Sequence, residues 1–221
     1  MNSLLNIQNI PTFSKMIIGL VGTKRSGKDT VADYLCEKHS FVKYSLADPM
    51  KNAVKEIFLM SDEQLWGDKK EEIDPRYNTT PRKILQVFGT ELFQYDIYKH
   101  IPELSIEPRK LWINRFVQWY NNKQSIEINK FGFQDIFIRP QELRGVVISD
   151  VRFPHEADEL RKLDAIIIRV VRYPLPKDAH VSETEQINIE TDIVIYNTGT
   201  IEKLYKNIDK IMREKIDTIY I

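Results

Sequence analysis

The stretch Ile17-Ile18-Gly19-Leu20-Val21-Gly22-Thr23-Lys24-Arg25-Ser26-Gly27-Lys28-Asp29-Thr30 decides the fold. Its apolar run ends at Gly22, and a helical pattern begins after the Gly27-Lys28 pair. This layout is typical of a phosphate-binding loop between a buried strand and a helix. Glycine lets such a loop turn its N–H groups towards an anion, which the helix N-terminus also attracts. The pattern therefore predicts that Lys28 reaches the outer phosphates of a nucleoside triphosphate.

One position departs from the usual phosphate-loop pattern. A serine or threonine ordinarily follows the lysine and binds Mg²⁺, but here Asp29 follows it and Thr30 comes next. The carboxylate can hold the metal directly or through water, with Thr30 on a phosphate, and the sequence leaves both arrangements open. Lys24 and Arg25 add positive charge to the loop. The alternative, a Gly/Ser turn that binds nothing, fits the flanking strand and helix less well.

The composition limits the class of protein. The chain has 221 residues, of which 42% are hydrophobic, and this suits one α/β domain with insertions or two small domains. Lys+Arg and Asp+Glu both number 32, and this zero net charge argues against a general nucleic-acid binder. Cys36 is the only cysteine, so no disulfide forms within one chain. No apolar run has the length of a membrane span, so we expect no membrane partner.

The rest of the chain alternates apolar runs with helical patterns. Apolar runs predict strands at about residues 17–21, 41–46, 146–150, 165–171 and 192–196. Helical patterns lie at about 28–39, 48–60, 80–92, 108–121, 156–163 and from 200 onward. Asp48 and Thr80 each precede a proline and predict helix N-caps. Residues 61–80 predict a solvated loop, and residues 123–140 are ambiguous. The alternation predicts an α/β fold, a five-stranded parallel sheet with helices on both faces and a helical insertion.

Charged side chains directly follow several of the predicted strands. Ligands bind beyond the carboxyl ends of parallel strands, and Asp150, Arg152 and Arg172 lie at that edge. Phosphoryl transfer depends on positioning and charge neutralisation, so Arg152 suits the transferred group and Arg82 a substrate phosphate. For each arginine the alternative is a surface salt bridge. Trp112 is either a core residue or a platform on which a base stacks.

The loop resembles that of the bacteriophage-type deoxynucleoside monophosphate kinases, which are P-loop kinases. Five further blocks of that family have counterparts here in the same order. They are Arg82 to Leu92 with Gly-Thr-Glu-Leu at 89–92, Lys110-Leu-Trp112, Asp150-Val-Arg152-Phe-Pro-His-Glu156, His180-Val-Ser-Glu183 and the Asn197-x-Gly199 turn. Together the six matches span about residues 16–213.

The resemblance implies MgATP-dependent phosphorylation of a deoxynucleoside monophosphate (dNMP) to the diphosphate. From the residues themselves, Lys28, Arg25 and Arg152 are the candidate catalytic residues, and Asp29 and Asp150 are candidate Mg²⁺ ligands. The resemblance places ATP on Arg25, Gly27, Lys28, Asp29 and Thr30, and the loop pattern adds Gly22. It places the monophosphate near Lys24, Arg82, Gly89, Trp112, Asp150, Arg152, Glu156 and Ser182.

The resemblance also implies a single kinase domain over residues 16–213, with tails at 1–15 and 214–221. Within it, about 48–140 is a mainly helical monophosphate-binding insertion and about 173–186 is a lid. Residues 1–15 lack the pattern of a secretory signal, so we expect a cytoplasmic protein, in the host cytoplasm if the source is viral. The sequence leaves open whether the protein forms a homodimer.

Two rival functions remain at this stage. Animal-type phosphomevalonate kinases share a similar Lys-Arg-x-Ser-Gly-Lys-Asp loop and an Asp-x-Arg strand end, whereas Trp112 favours a nucleotide substrate. A non-catalytic P-loop nucleotide-binding protein is the second alternative, and Asp150 with Arg152 argues against it. Ser182 stands where the family pattern has threonine, which leaves the base preference undecided.

Overall fold

A computed structural model describes residues 16–121, 143–173 and 184–216. In this part of the chain five parallel strands form one sheet in the order β2-β3-β1-β4-β5. The strands are β1 (Met16–Val21), β2 (Phe41–Tyr44), β3 (Gly145–Ile148), β4 (Ile166–Val171) and β5 (Ile193–Tyr196). The predicted five-stranded parallel sheet is confirmed, although β2 and β3 each end two residues earlier than expected.

The helices come from the predicted patterns and from two segments where none was expected, Asp62–Leu65 and Ile97–His100. They are α1 (Lys28–His39), α2 (Asp48–Phe58), α3 (Asp62–Leu65), α4 (Pro81–Gln86), α5 (Ile97–His100), α6 (Leu111–Asn121), α7 (Pro154–Arg161) and α8 (Ile201–Ile211). Short 3₁₀ turns cover Asp68–Glu71 and Glu185–Asn188, and π-helical segments cover Val87–Asp96 and Met212–Ile216. No helix among the described residues has the length and apolar character needed to cross a membrane.

The chain divides into two compact units, and the first contains the whole sheet. Side chains alternate between the two faces of a strand. On one face Ile18 and Leu20 of β1 pack in a core that also contains residues of α1 and α8. On the other face Gly19 lies close to Leu160 of α7. Helices therefore cover both faces of the sheet, as the sequence predicted.

The last helix extends further than the sequence suggested. Its π-helical continuation runs to Ile216, whose side chain is completely buried in the same core as α8. The boundary expected at residue 213 therefore falls too early, because Ile216 adds apolar surface to the sheet's core.

The second unit begins at Ser45 and includes the described residues to 121. Its core contains Met50, Val54, Met60, Leu65 and Ile84. The predicted cap at Thr80 is confirmed, since its hydroxyl accepts from the N–H of Lys83 and Pro81 opens α4. The predicted cap at Asp48 is wrong, because Ala47 holds the cap position of α2. The Asp48 carboxylate instead accepts from Lys51 and from the Trp66 indole.

The solvated loop expected over residues 61–80 is also wrong. Ser61 and Gln64 form a reciprocal capping box that starts α3, and Leu65 at its end is fully buried. Asp74 is buried and accepts bonds from the Gln64 amide and the Arg76 guanidinium, which lower the pKa of its carboxyl. Helix caps and a buried carboxylate therefore stabilise this segment, although its sequence has no apolar periodicity. The ambiguous segment 123–140 lies outside the described residues.

Candidate functional site

The loop between β1 and α1 has the backbone shape that the sequence predicted. A Cβ on Gly22 would collide with the carbonyl oxygen of Val170 in β4, so this position needs glycine. Gly27 has φ 102° and Arg25 has φ 63°, both in the left-handed region. Arg25 is exposed and Lys24 is half-buried. The chain therefore bends sharply before the first turn of α1, where N–H groups are left for an anion.

Lys28 is folded back over this loop. Its Nζ donates to the carbonyl oxygens of Gly22, at 2.5 Å, and Thr23, at 3.0 Å. The ammonium is thus held beside the loop's backbone rather than extended into solvent. This is the position in which a lysine cation can meet a phosphate bound by the loop.

Two residues near the loop were not identified from the sequence as site residues. Ser26 is 1% exposed, and its carbonyl oxygen accepts from Asn197 Nδ2 at 3.0 Å. The Ser26 hydroxyl has no hydrogen-bond partner among the described residues. Asn197 appeared in the sequence only as part of a turn, and no local pattern links it to a loop 171 positions earlier.

Asp29 and Thr30 lie in the first turn of α1. The Asp29 carboxylate is 80% exposed and stands 3.0 Å from Nζ of Lys43 in β2, and Asp33 is at the same distance from that ammonium. Carboxylate and hydroxyl oxygens are the donors that Mg²⁺ prefers, although the part of the chain that the structure describes brings no three His, Cys, Asp or Glu side chains together as a metal site. Lys43 is the resident cation with which the metal would compete for Asp29.

Asp150 and Arg152 lie where the sheet topology predicts. The N–H of Ser149 donates to the carbonyl oxygen of Tyr44, and that of Val151 to the carbonyl oxygen of Leu20. These two bonds tie the segment after β3 to the ends of β2 and β1. Asp150 and Arg152 therefore lie at the carboxyl edge of the sheet, beside the strand that leads into the phosphate loop.

Glu156 holds this segment from within. It is 4% exposed, and its Oε2 accepts from the backbone N–H groups of Arg152, at 2.8 Å, and Phe153, at 3.1 Å. Burial raises the pKa of this carboxyl to about 7, although the two N–H donors oppose the shift. Glu156 was expected near the monophosphate, and in the structure its carboxylate braces the backbone at Arg152.

The second unit brings Gly89 and Trp112 together. The Trp112 indole N–H donates to the Gly89 carbonyl at 2.8 Å, and its ring lies 5.6 Å from that of Phe93. Gly89 is inside the π-helical segment, a conformation frequent at functional sites. A Cβ on Gly89 would come within 2.9 Å of the Met50 side chain. Trp112 is half-buried and packs against the core of this unit.

The remaining predicted site residues are Arg82, Arg172 and Ser182. Arg82, at the start of α4, forms an ion pair with Glu71 inside the second unit. Arg172 is exposed directly after β4. Ser182 and most of the expected lid at 173–186 lie outside the described residues.

Comparison with known proteins places these features in a family. A family model described as deoxynucleotide monophosphate kinase matches residues 15–74 and 68–208. A protein of Acanthamoeba polyphaga mimivirus assigned as a deoxynucleotide monophosphate kinase is 38% identical over 198 residues, which cover 87% of this chain and 94% of the relative. The deoxynucleotide monophosphate kinase of Enterobacteria phage T4 is 24% identical, over 89% of this chain and 98% of its own.

Among solved structures, the dephospho-CoA kinase of Campylobacter jejuni aligns with 90% of this chain and 97% of its own. The TM-score is 0.44 and the sequence identity is 13%. The fold assignment rests instead on the parallel strand order and on the loop between β1 and α1.

Proposed function

The chain belongs to the deoxynucleotide monophosphate kinase family, and from this membership we propose that it transfers the γ-phosphoryl group of ATP to a deoxynucleoside monophosphate. The products are the diphosphate and ADP. One observation carries the proposal beyond membership, namely that the Lys28 ammonium is held over the phosphate loop. A kinase needs this cation beside the phosphates, because transfer depends chiefly on positioning and charge neutralisation.

For ATP, the proposal assigns the phosphates to the loop. The backbone N–H groups between Gly22 and Lys28 bind the anion, and Lys28 balances the charge of its outer phosphates. Arg25 is exposed on the same loop and suits a contact with the triphosphate. Mg²⁺, when bound, would neutralise phosphate charge, with Asp29 and Asp150 as its oxygen donors and Thr30 on a phosphate.

For the transferred group, the proposal assigns Arg152. Its guanidinium belongs to a segment whose backbone is fixed by Glu156 and by the bond from Val151 to Leu20. A fixed backbone limits the positions that the guanidinium can take, so less ordering is needed as charge develops in the transition state. Arg152 is thus the proposed catalytic arginine, and Glu156 a positioning residue for it.

For the monophosphate, the proposal rests on the family resemblance. It assigns Arg82 to the phosphate and the half-buried ring of Trp112 to the base. The Trp112 N–H is already bonded to Gly89, so the ring rather than the N–H would recognise the base. Lys24, Gly89, Asp150 and Ser182 complete the proposed set. Cytoplasmic location, and a homodimer, stay predictions.

The decisive experiment measures ADP release and identifies the phosphorylated product. Purified protein is incubated with MgATP and, separately, each of the four dNMPs, the matching ribonucleotides and mevalonate 5-phosphate. We expect ADP release that depends on a dNMP, with the dNDP as product. Turnover with mevalonate 5-phosphate alone would establish the rival kinase, and ATP binding without any turnover would establish the non-catalytic protein.

The role of Arg152 is tested by Arg152→Ala, with Arg161→Ala on α7 as the matched control. We expect kcat to fall by about 100-fold in Arg152→Ala, the usual cost of one lost donor to a developing charge, with little change in the Kd of ATP. The control should keep wild-type values. A loss confined to ATP affinity would assign Arg152 to the other substrate.

A further inference from the structure

The side chain of Asn197 joins the end of β5 to the phosphate loop. Asn197 directly follows β5, and its backbone N–H donates to the carbonyl oxygen of Val171 at 2.8 Å. Its side-chain Nδ2 donates to the carbonyl oxygen of Ser26 at 3.0 Å. The backbone bond fixes Asn197 to the end of β4, so its amide is a rigid support for the loop.

This bond determines how one peptide group of the loop is oriented. A trans peptide is planar, so its C=O and N–H point in opposite directions. The carbonyl of Ser26 and the N–H of Gly27 belong to the same peptide group. Because Asn197 holds the carbonyl, the Gly27 N–H points to the side away from Asn197.

Gly27 is also packed directly against the asparagine. A Cβ on Gly27 would lie 2.5 Å from Asn197 Nδ2, and the φ of this residue is 102°. Glycine is conformationally permissive, so without an external contact this peptide group can rotate at low cost. The Ser26 hydroxyl has no hydrogen-bond partner among the described residues that would oppose the rotation. Asn197 supplies the restraint that the loop's own glycine lacks.

We infer that Asn197 is a positioning residue for ATP, which orients the Gly27 N–H towards the polyphosphate by holding the Ser26 carbonyl on the opposite side of the peptide. The inference rests on the proposed function only in taking ATP as the ligand of the loop. It adds a residue from the far end of the chain to the nucleotide site, and it gives the Asn197-x-Gly199 turn a purpose beyond reversing the chain.

The test compares Asn197→Ala and Asn197→Asp with Thr198→Ala, an exposed neighbour in the same turn. ATP and the best dNMP substrate are titrated separately by calorimetry, and KM and kcat are measured for each. We expect both Asn197 variants to bind ATP about 10-fold or more weakly, because the Ser26 carbonyl loses its donor. Asn197→Asp keeps the size of the side chain but offers a carboxylate to the carbonyl, so it should be the worse of the two. Binding of the dNMP should stay at the wild-type value in all three variants.

Each outcome decides the inference. Wild-type ATP affinity in Asn197→Ala and Asn197→Asp would overturn it, as would an equal loss for ATP and dNMP, which a general structural defect would cause. If Asn197→Ala does not fold, the comparison of Asn197→Asp with the control decides. Failure of the wild-type protein itself to bind ATP would refute the proposed function, a result distinct from an unaltered Asn197 variant.

Discussion

The sheet unit and the helical unit that begins at Ser45 position their candidate residues by different means. In the sheet unit, candidate side chains are held by backbone groups, as the carbonyls around Lys28 and the N–H groups bound to Glu156 illustrate. In the helical unit, Arg82 pairs instead with another side chain, that of Glu71, although Trp112 bonds to the Gly89 carbonyl. Backbone geometry is inseparable from the fold, whereas side-chain pairs can be exchanged singly. We therefore expect large effects from changes in the first unit and graded effects in the second.

The largest expected effect comes from Lys28→Ala. Loss of the ammonium should reduce kcat by roughly 100- to 1000-fold, because the transferring phosphates lose a preorganised cation. Lys162→Ala, directly after α7, is the matched control and should keep full activity, because this side chain is 65% exposed and pairs with Glu159 of the same turn. Circular dichroism and thermal unfolding check that both variants fold. Wild-type activity in Lys28→Ala would contradict the expectation that changes in the sheet unit have the larger effects.

A second large effect is expected in the pH dependence of stability and is isolated by Glu156→Gln. Burial raises the pKa of Glu156 to about 7 from an ordinary value near 4.5. Below pH 4.5 the carboxyl is protonated in both the folded and the unfolded protein. As the pH rises from 4.5 to 7, ionisation is resisted only in the folded protein. The contribution of Glu156 to the free energy of unfolding is therefore fully present below pH 4.5 and is lost as the pH rises to 7.

This shift corresponds to about 3 kcal/mol. Both backbone donors bond to the single oxygen Oε2, so the amide oxygen of glutamine can accept the same two bonds. We expect the free energy of unfolding of the wild type, relative to Glu156→Gln, to fall by about 3 kcal/mol between pH 4 and pH 8. Urea unfolding across this range measures the difference. Parallel curves for the two proteins would contradict the raised pKa.

In the helical unit a smaller effect is expected from Trp112→Phe. The aromatic ring is kept, but the indole N–H that holds the Gly89 carbonyl is lost. The KM for the dNMP should rise by about 10-fold, the typical cost of a lost bond with an unsatisfied partner, and the KM for ATP should not change. Trp66→Phe, which loses its indole bond to Asp48 in the same unit, is the control. An equal rise in both KM values would indicate a general defect.

The smallest effect is expected from Glu71→Gln, and it sharpens the comparison most. Removal of this charge releases Arg82 from its ion pair and should lower the KM for the dNMP, since Arg82 can then meet the substrate phosphate. The change should stay within about five-fold, because exposed ion pairs contribute 1 kcal/mol or less. Arg82→Ala should act in the opposite direction. A raised KM in Glu71→Gln would mean that Glu71 holds Arg82 in its working position.

The same contrast explains what could be predicted from the sequence. The loop, the five strands and the positions of Asp150 and Arg152 follow from local patterns and from the rule that parallel strands end at one edge. The regular structure within residues 61–80 could not be predicted, because helix caps and the buried Asp74 stabilise this segment. Its sequence has no apolar periodicity that would signal a helix. The contact of Asn197 with Ser26 was missed for a related reason. It joins distant parts of the chain, and nothing in either local pattern signals the other.

The connection from β2 to β3 has an evolutionary consequence. These strands are adjacent and parallel in the sheet, and the second unit belongs entirely to the segment of chain that links them. Parallel neighbours always need a crossover, but its length is not dictated by their pairing. Lineages can therefore lengthen, shorten or redesign this one segment without altering the pairing of β2 with β3.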